Sequence, residues 1–392
     1  MSIVIVGAGQ AAAQFVLSLR QGGCKDAIRM IGDEPYAPYQ RPPLSKKFLT
    51  ERPAADTLYF RPENFWREQG VTADYGISVE AIDRAGKRVT FAGGQADYGT
   101  LFLSTGTRAR AIPLPGVDLA GVFSLRKIDD VRRLRGPLDQ AKRVVIVGGG
   151  YIGLEVAAVA RGEGRDVTVL EAEDRVMKRV TSPVISTFIQ DFHRGRGVDI
   201  RLGARLAAIE DDRGAIEGDG KVAQVRLADG TVLPADLVLL AVGAKPNDDL
   251  AAAAGIACQD GVVVDEHGRT CDDAIYAAGD CTRFPSRRYG RKLRLECVQN
   301  AIDQAKAVAS EILGKPQSYD PVPWFWSDQY ELKLQMAGLS DGYDDARTVG
   351  DVAAARFSVE YRRDGKLIAV DAVNDGRAYM GGRKRIAEET AS

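Results

Sequence analysis

The chain has 392 residues, of which 45% are hydrophobic and 27% are charged, and its formal net charge is −1 at pH 7. That length and composition favour two or three globular domains with ordinary cores. A near-neutral chain has no overall field that would recruit nucleic acid or an anionic membrane, so neither partner is expected.

The first predicted element is a buried strand at residues 3–6, an unbroken run of β-branched side chains. A G-x-G-x-x-A turn follows directly, and residues 13–20 then show helical periodicity. In this strand–turn–helix setting, Gly7 permits the tight turn and Gly9 lets a pyrophosphate approach the backbone. Ala12 keeps the helix close to the strand, and the helix N-terminus faces the phosphates.

The next strand, residues 28–31, ends at two acidic residues that could bind the ribose of a dinucleotide. Asp33 is the better candidate than Glu34, because it lies closer to the strand edge. This completes one dinucleotide-binding unit.

The same pattern returns at residues 144–147, a second β-branched strand, and is followed by a G-x-G-x-x-G turn. Gly148, Gly150 and Gly153 occupy the glycine positions, and a helix is predicted from Leu154. One such motif is weak evidence, but two complete copies indicate two bound dinucleotides.

In the second unit the acidic residue is Glu171, which directly follows the predicted strand at residues 167–170. A carboxylate there accepts the ribose 2′-hydroxyl of NADH and repels the 2′-phosphate of NADPH. Arg175 and Lys178 follow and could soften that preference. NADH is favoured, and tolerance of NADPH is left open.

Two later strands break into glycine turns, at residues 101–107 and 237–243, and they indicate where the chain crosses between domains. The second nucleotide unit is then an insertion in the first. After Pro316 the aromatic-rich run of residues 324–330 and two alternating segments predict a small α+β domain. We expect a polar, mobile end at residues 383–392. Three domains are predicted. The first combines residues 1–107 and 244–318, the second is residues 108–243, and the third is residues 319–392.

Compartment and metal chemistry are judged from the N-terminus, the cysteines and the histidines. No basic leader precedes the first strand, so a cytoplasmic protein is expected. The five cysteines are scattered and are interpreted as reduced thiols. His193 and His267 have no ligand-spaced neighbours, so we expect no metal site and place both on the solvated surface.

With these motifs the sequence resembles the FAD-dependent NADH:ferredoxin reductases of bacterial Rieske-type dioxygenase and cytochrome P450 systems, the putidaredoxin-reductase-like group. It resembles apoptosis-inducing factor more distantly. The likeness runs from Gly7 to about Ala372, and its specific signatures are residues 41–46, 276–280 and 323–330. It implies a glutathione-reductase-like α/β architecture of two Rossmann-like domains, the second inserted in the first, and a small C-terminal α+β domain. Gln299 departs from the family, which commonly has proline there.

The resemblance also implies which residues bind FAD. Asp280 matches the residue that hydrogen-bonds the ribityl chain, and Arg41 and Lys46 match residues that contact the flavin. Trp326 resembles an aromatic side chain beside the isoalloxazine, although a core tryptophan is an open alternative. The full FAD set is Gly7, Gly9, Ala12, Asp33, Arg41, Lys46, Thr105, Gly106, Asp280, Val298 and Trp326.

The NAD set follows in the same way from the second fingerprint. Glu155, in the first turn of the predicted helix, is implied to lie near the nicotinamide carboxamide and within reach of Lys46. Tyr151 matches the residue that covers the flavin until nicotinamide displaces it, with plain core packing as the alternative. The full set is Gly148, Gly150, Tyr151, Ile152, Gly153, Glu155, Glu171, Val242 and Gly243.

The electron acceptor is expected to be a separate protein, because residues 41–49 hold no redox-active cysteine pair. The resemblance implies that this partner is a [2Fe–2S] ferredoxin, typically an acidic one. The chain itself is expected to be a monomer or a homodimer. Arg287, Arg288, Arg291, Lys292 and Arg294 form the densest basic cluster, and Arg288, Arg291 and Arg294 are the docking candidates. Rubredoxin reductase, NADH oxidase and a redox-switched protein like apoptosis-inducing factor remain alternatives.

Overall fold

The protein is described by a computed structural model, which covers residues 2–216 and 220–389. The chain divides into two compact units that are each assembled from separate stretches of sequence. The first unit comprises residues 1–40, 54–108 and 245–323, and the second comprises residues 41–53, 109–244 and 324–392. The domain boundaries predicted from the sequence stay a prediction.

The strands of the described residues are β1 Ser2–Val6, β2 Ala27–Gly32, β3 Val71–Tyr75, β4 Val79–Asp83, β5 Arg88–Phe91, β6 Gly94–Asp97, β7 Thr100–Leu103, β8 Thr107–Ala109, β9 Val122–Ser124, β10 Arg143–Val147, β11 Asp166–Leu170, β12 Asp199–Arg201, β13 Leu206–Glu210, β14 Gln224–Leu227, β15 Val232–Pro234, β16 Leu237–Leu240, β17 Ala244–Pro246, β18 Val262–Val263, β19 Ile275–Ala277, β20 Thr282–Ser286, β21 Arg291–Leu293, β22 Trp324–Gln329, β23 Leu332–Gly338, β24 Asp345–Asp351, β25 Arg356–Arg363 and β26 Lys366–Val373. The α-helices of the same residues are α1 Gln10–Gln21, α2 Lys47–Glu51, α3 Glu63–Glu68, α4 Ile128–Gln140, α5 Tyr151–Gly162, α6 Pro183–Arg194, α7 Asp249–Ala253, α8 Val298–Ile312 and α9 Gly376–Glu389. Short 3-10 turns lie at Pro42–Ser45 and Ala55–Leu58. None of these helices is long and apolar enough to cross a membrane.

The first unit is built on a parallel sheet with the strand order β19-β7-β1-β2-β3. Its central strands are buried along their length, which explains their continuous apolar sequences. Helices α1 and α8 pack against each other, and Phe15 of α1 stacks on Phe102 of β7 at 4.0 Å between ring centroids. The strands predicted at residues 3–6 and 28–31 are confirmed.

The second unit contains a parallel sheet of order β12-β11-β10-β16-β9, again with buried central strands. Helix α5 begins at Tyr151, three residues before the predicted start at Leu154. The reason is that Gly150 has extended backbone angles and acts as the N-cap, so the last three fingerprint residues are already helical. Glu155 therefore lies in the second turn of α5 and not in the first.

Helix α6 corrects the prediction for one histidine. Ile185, Ile189 and His193 are all buried at four-residue spacing, so they form one inward-facing stripe. His193 is fully buried and was wrongly assigned to the surface. The side chain of His267 is partly exposed, and its Nδ1 lies 3.7 Å from a carboxylate oxygen of Glu311.

The C-terminal part of the second unit is an antiparallel sheet of order β22-β23-β26-β25-β24, with α9 packed on β26. The predicted α+β character is confirmed, but the predicted mobile end is wrong as far as residue 389. Ile386 is buried, and a Cβ on Gly382 would lie 2.6 Å from Val370, so α9 is closely seated. Arg385 forms an ion pair with Glu360. Residues 390–392 lie outside the described residues.

Candidate functional site: two dinucleotide fingerprints and a buried ion pair

The first fingerprint turn lies between β1 and α1, and its two glycines serve different purposes. Gly7 has a positive φ of 107°, and a Cβ there would lie 2.3 Å from the carbonyl oxygen of Ser104. Gly9 is the N-cap of α1 and forms no side-chain cap bond. A Cβ on Gly9 would meet nothing within 4 Å, so space is open in front of the helix. Ala12 is fully buried.

Three strand ends bring the other candidates of the first unit to the same edge. Val6 pairs with Leu103, and Leu103 pairs with Ala277, so β1, β7 and β19 end side by side. The Thr105–Gly106 turn and Asp280 follow two of these ends. Thr105 is held by Asn247, which donates from its amide to the Thr105 carbonyl oxygen at 2.8 Å. Thr107 donates to Asp280 at 3.5 Å.

Helix α8 adds the last candidate of the first unit, because it begins at Val298. Its N-cap is Cys297, whose sulfur accepts from the Asn300 amide. Gln299, the departure from the family pattern, is buried and donates to Asp303 at 3.0 Å. The helix start is therefore intact with glutamine in place of proline.

The two acids after β2 are used differently. Glu34 is 9% exposed and accepts a 2.6 Å hydrogen bond from the Tyr39 hydroxyl. Asp33 is exposed. The assignment of the ribose to Asp33 stays a prediction, and the internal bond of Glu34 favours that choice.

The second fingerprint turn lies between β10 and α5 and is tighter at its sixth position, Gly153. Gly148 has a φ of 108°, and a Cβ there would lie 2.4 Å from the Ala241 carbonyl oxygen. A Cβ on Gly153 would lie 2.1 Å from the carbonyl oxygen of Gly148, which only glycine avoids. Gly150 opens onto empty space, as Gly9 does. Val242 and Gly243 follow β16, whose Leu240 pairs with Val147 at the same sheet edge.

Glu171 is held in place by two backbone amides. Its carboxylate accepts from Gly149 at 2.8 Å and from Glu173 at 2.9 Å. Arg175 donates to the Thr181 carbonyl oxygen and the Ser186 hydroxyl, at 2.8 and 2.7 Å. Lys178 pairs with Glu173 at 2.8 Å. Both nearby cations are thus engaged within their own loop.

Lys46 and Glu155 form a largely buried ion pair in the second unit. The Lys46 Nζ atom lies 2.6 Å from Oε2 of Glu155, whose side chain is 5% exposed. The same Oε2 accepts from the Ser45 hydroxyl at 2.5 Å, and Oε1 accepts from Ser327 at 2.7 Å. Lys46 is within reach of Glu155, as the resemblance implied. The two serine donors were not singled out, although Ser45 lies in the signature segment 41–46 and Ser327 in the signature segment 323–330.

Of the two aromatic candidates of the second unit, Tyr151 contacts β22 and Trp326 is part of it. The Tyr151 hydroxyl is 3.1 Å from the sulfur of Met336, and its ring centroid is 4.5 Å from that of Phe325. Burial raises the pKa of Tyr151 well above its usual value. Trp326 is partly buried, with its ring 5.9 Å from Trp324. Flavin contact by Tyr151 and Trp326, and likewise by Arg41, stays a prediction.

The predicted basic cluster lies on and beside the β20–β21 hairpin of the first unit. Arg291 and Lys292 are exposed on β21. Arg294 differs, because its side chain is 13% exposed and paired with Asp260 at 3.1 Å and Glu296 at 2.5 Å. Its charge is largely neutralised locally. Docking by Arg288, Arg291 and Arg294 stays a prediction.

The residues present fit two dinucleotides. Helices α1 and α5 both begin at a glycine with no side-chain cap, and open space lies in front of each. Uncapped helix N-termini offer unpaired N–H groups and a partial positive charge to a pyrophosphate.

Comparison with known proteins identifies the family. Residues 1–305 match the pyridine nucleotide-disulphide oxidoreductase family, and residues 324–392 match the family described as reductase C-terminal. The chain belongs to this oxidoreductase family. Full-length relatives place it among the ferredoxin reductases, as the sequence predicted.

Two curated relatives of this reductase are each 42% identical and align with 99% of the chain. One is the 5,5′-dehydrodivanillate O-demethylase ferredoxin reductase subunit of a Sphingobium species, 93% of which is covered. The other is the rhodocoxin reductase of Rhodococcus erythropolis, 90% of which is covered. A solved covalent complex of putidaredoxin reductase with putidaredoxin is 39% identical with a TM-score of 0.93, covering 99% of this chain and 93% of that one.

These comparisons confirm the fold class and the cofactor chemistry. The chain is a flavoprotein oxidoreductase of the ferredoxin reductase type, which uses FAD and a reduced nicotinamide dinucleotide.

Three of the five thiols of this reductase have a raised pKa. None of the five cysteines, all of them in the described residues, forms a disulfide. Burial raises the pKa of Cys258 to about 11 and that of Cys297 to about 12, and it also raises the pKa of Cys281. A thiol with a raised pKa is protonated at neutral pH and is a weak nucleophile.

Proposed function

We propose that this reductase takes hydride from NADH and delivers single electrons to a small, acidic [2Fe–2S] ferredoxin that feeds an oxygenase in aromatic-hydrocarbon catabolism. FAD, when bound, accepts the hydride and releases the electrons one at a time. The protein residues supply binding, alignment and electrostatics.

We assign the adenosine end of NADH to the second fingerprint. Gly148 and Gly150 leave room for the pyrophosphate, and Glu171 accepts from the ribose hydroxyls. Because Gly149 and Glu173 hold the Glu171 carboxylate, that charge is fixed in place against a 2′-phosphate. Arg175 and Lys178 are tied up in their own loop, which supports a preference for NADH over NADPH.

We assign the nicotinamide end to the neighbourhood of Glu155. Its carboxylate is charged, buried and neutralised by Lys46, so it presents a fixed acceptor to the carboxamide amide. Such alignment contributes to hydride transfer without a protein nucleophile or general base. Lys46 and Arg41 are assigned to the flavin, and Trp326 to its surroundings, on the family resemblance alone.

The state of the thiols supports an external acceptor. A reduced flavin can pass electrons to a disulfide, but the five cysteines, all of them within the described residues, are free thiols. The exposed cations of the β20–β21 hairpin offer a surface for an acidic carrier. Arg287, Arg291 and Lys292 are its exposed members, and the side chain of Arg294 is only 13% exposed.

The proposal is tested by NADH-driven cytochrome c reduction with and without a [2Fe–2S] ferredoxin, repeated with NADPH. We expect a saturable gain with ferredoxin that falls as salt is raised, since exposed charges are screened. The double variant R291E/K292E should raise the KM for ferredoxin about tenfold, as reversed rim charges slow association. Arg377 and Lys384, which are both exposed on α9, provide the charge-matched control R377E/K384E.

The outcomes separate the alternatives. No gain with ferredoxin but a gain with rubredoxin would replace the acceptor. Steady oxygen consumption without any carrier would favour an NADH oxidase. A long-lived reduced complex that turns over slowly with every carrier would favour the redox-switched interaction protein.

A further inference from the structure

A continuous series of hydrogen bonds leads from Glu155 into the core of the second unit. Ser327 donates to Oε1 of Glu155 at 2.7 Å, and Gln329 donates its amide to Ser327 at 3.1 Å. Nε2 of His193 lies 2.9 Å from the carbonyl oxygen of Gln329. These four residues, called here the polar chain, are each at most 5% exposed. The polar chain joins α5 to β22 and α6.

The direction of every bond in the polar chain follows from the charge at one end. A carboxylate paired with Lys46 can only accept, so the Ser327 hydroxyl must donate to it. The Ser327 oxygen then accepts from the amide of Gln329. The Gln329 carbonyl oxygen is left to face His193, which must therefore carry its proton on Nε2.

The polar chain ends at His193. Nδ1 of His193 is buried and has no hydrogen-bond partner among the described residues. Burial lowers the pKa of His193, and this effect outweighs the opposing hydrogen bond to Gln329; the neighbouring Arg196 guanidinium also lowers it. The Tyr330 ring stands edge-on at 5.2 Å. A proton on Nδ1 would find no acceptor, so the neutral Nε2–H form is the one that fits.

We propose that His193, acting through Gln329 and Ser327, is a positioning residue that holds the carboxylate of Glu155 in the orientation in which it receives nicotinamide. The Gln329 amide occupies the acceptor site of Ser327 and so directs the serine proton at Glu155. Hydrogen bonds aligned in one direction polarise each other, which strengthens the last bond of the series.

The catalytic consequence rests on the proposed function, since it requires nicotinamide at Glu155. The tautomer of His193 does not, because it depends only on contacts within the second unit. The two parts can therefore be tested separately.

The structural test uses the scarcity of histidine. In FAD-loaded enzyme carrying His267→Gln, the single remaining imidazole is His193, and ¹⁵N-histidine labelling gives its protonation state directly. We expect a protonated Nε2 and a bare Nδ1 between pH 6 and pH 8. A proton on Nδ1, or an imidazolium at pH 7, would overturn the proposal whether or not NADH reduces the enzyme.

The kinetic test measures flavin reduction by NADH in single turnovers. Gln329→Met keeps the side-chain length but removes both hydrogen bonds, and Ser327→Ala removes the donor to Glu155. We expect the limiting reduction rate to fall about tenfold in each, with half-saturating NADH changed less than about threefold. Ser327→Thr keeps the hydroxyl and should restore the rate.

The matched control is Ser358→Ala, a buried serine of the same antiparallel sheet that lies outside the polar chain. It should leave the limiting rate within about twofold of the parent enzyme. Equal losses in Ser358→Ala and Ser327→Ala, or no rescue by threonine, would mean that the sheet tolerates no change and that positioning is not the cause. A parent enzyme that NADH does not reduce would refute the proposed function, while the labelling result still decides the tautomer.

Discussion

The two fingerprint turns have nearly the same sequence motif but pack differently at its sixth position. In the first, Ala12 occupies the sixth position and is fully buried without needing to be glycine. In the second, a Cβ on Gly153 would lie 2.1 Å from the Gly148 carbonyl oxygen. Helix α5 therefore starts closer to its own turn than a side chain allows. The glycine spacing alone does not distinguish the loose turn from the tight one.

The acids that follow the two turns also differ in their surroundings. Glu171 is anchored by the amides of Gly149 and Glu173, and the first of these belongs to the fingerprint itself. In the first unit, Glu34 is bonded to Tyr39 and Asp33 is exposed. The second turn and its acid thus form one rigid assembly. We expect substitutions there to disturb dinucleotide binding more than their counterparts in the first unit.

Reciprocal exchanges at the sixth fingerprint position should give the largest difference in dinucleotide binding between the two turns. Gly153→Ala forces backbone atoms apart at the start of α5, at a cost of about 3 kcal/mol, or about a hundredfold in NADH affinity. Ala12→Gly removes a methyl group from a helix and should cost about 1 kcal/mol in stability while FAD stays bound. NADH titration and FAD retention on gel filtration measure the two effects.

Unchanged NADH affinity in Gly153→Ala would show that α5 can slide, and the tight-turn account would be wrong. Loss of FAD from Ala12→Gly would show that the first turn is as constrained as the second.

In the second unit, the loop that follows Glu171 is hydrogen-bonded to the C-terminal antiparallel sheet. Thr181 donates to the fully buried carboxylate of Asp371, and the Tyr361 hydroxyl donates to it at 2.7 Å. Burial raises the pKa of Asp371 to about 6 despite these donors.

Asp371→Asn tests this hydrogen-bonded connection through its pH dependence. A raised pKa means that the stabilising protonated form is complete below about pH 3.9 and is lost as pH rises through about 6. Asparagine stays neutral and still accepts through its amide oxygen. We therefore expect the unfolding free energy of the variant, relative to wild type, to rise by on the order of 2 kcal/mol between pH 4 and pH 7.

Denaturant unfolding across that pH range provides the measurement, and Asp345→Asn, an exposed position on β24, serves as the control. A difference that stays flat with pH would mean that Asp371 is charged throughout and that the hydroxyl donors outweigh burial.

Features that depend on neighbouring residues could be predicted from the sequence, whereas features that depend on contacts between distant residues could not. The strands, both glycine turns and Glu171 follow from residues that are neighbours in the chain. The signal for His193 was also local, since Ile185 and Ile189 complete its apolar stripe, but a polar residue in such a stripe is easily assigned to the surface.

Other features had no local signal. Helix α9 contains a Gly381–Gly382 pair and many charges, and its burial depends on Tyr379 and Ile386 meeting a distant strand. The donors Ser45 and Ser327 reach Glu155 from segments far apart in sequence. Their roles arise only when tertiary packing collects them around one charge.

The smallest expected effect concerns the choice between NADH and NADPH. Glu171→Gln keeps an oxygen for the Gly149 amide but removes the charge that repels a 2′-phosphate. We expect the ratio of kcat/KM for NADH to that for NADPH to fall about tenfold, which corresponds to about 1.4 kcal/mol. Asp33→Asn makes the same chemical change at the acid of the first unit and should leave that ratio unaltered. If both variants lower the ratio equally, the two acids are not specific to different dinucleotides. If neither does, discrimination lies in Arg175 and Lys178, and the hydrogen bonds that tie them into their own loop must open when the nucleotide binds.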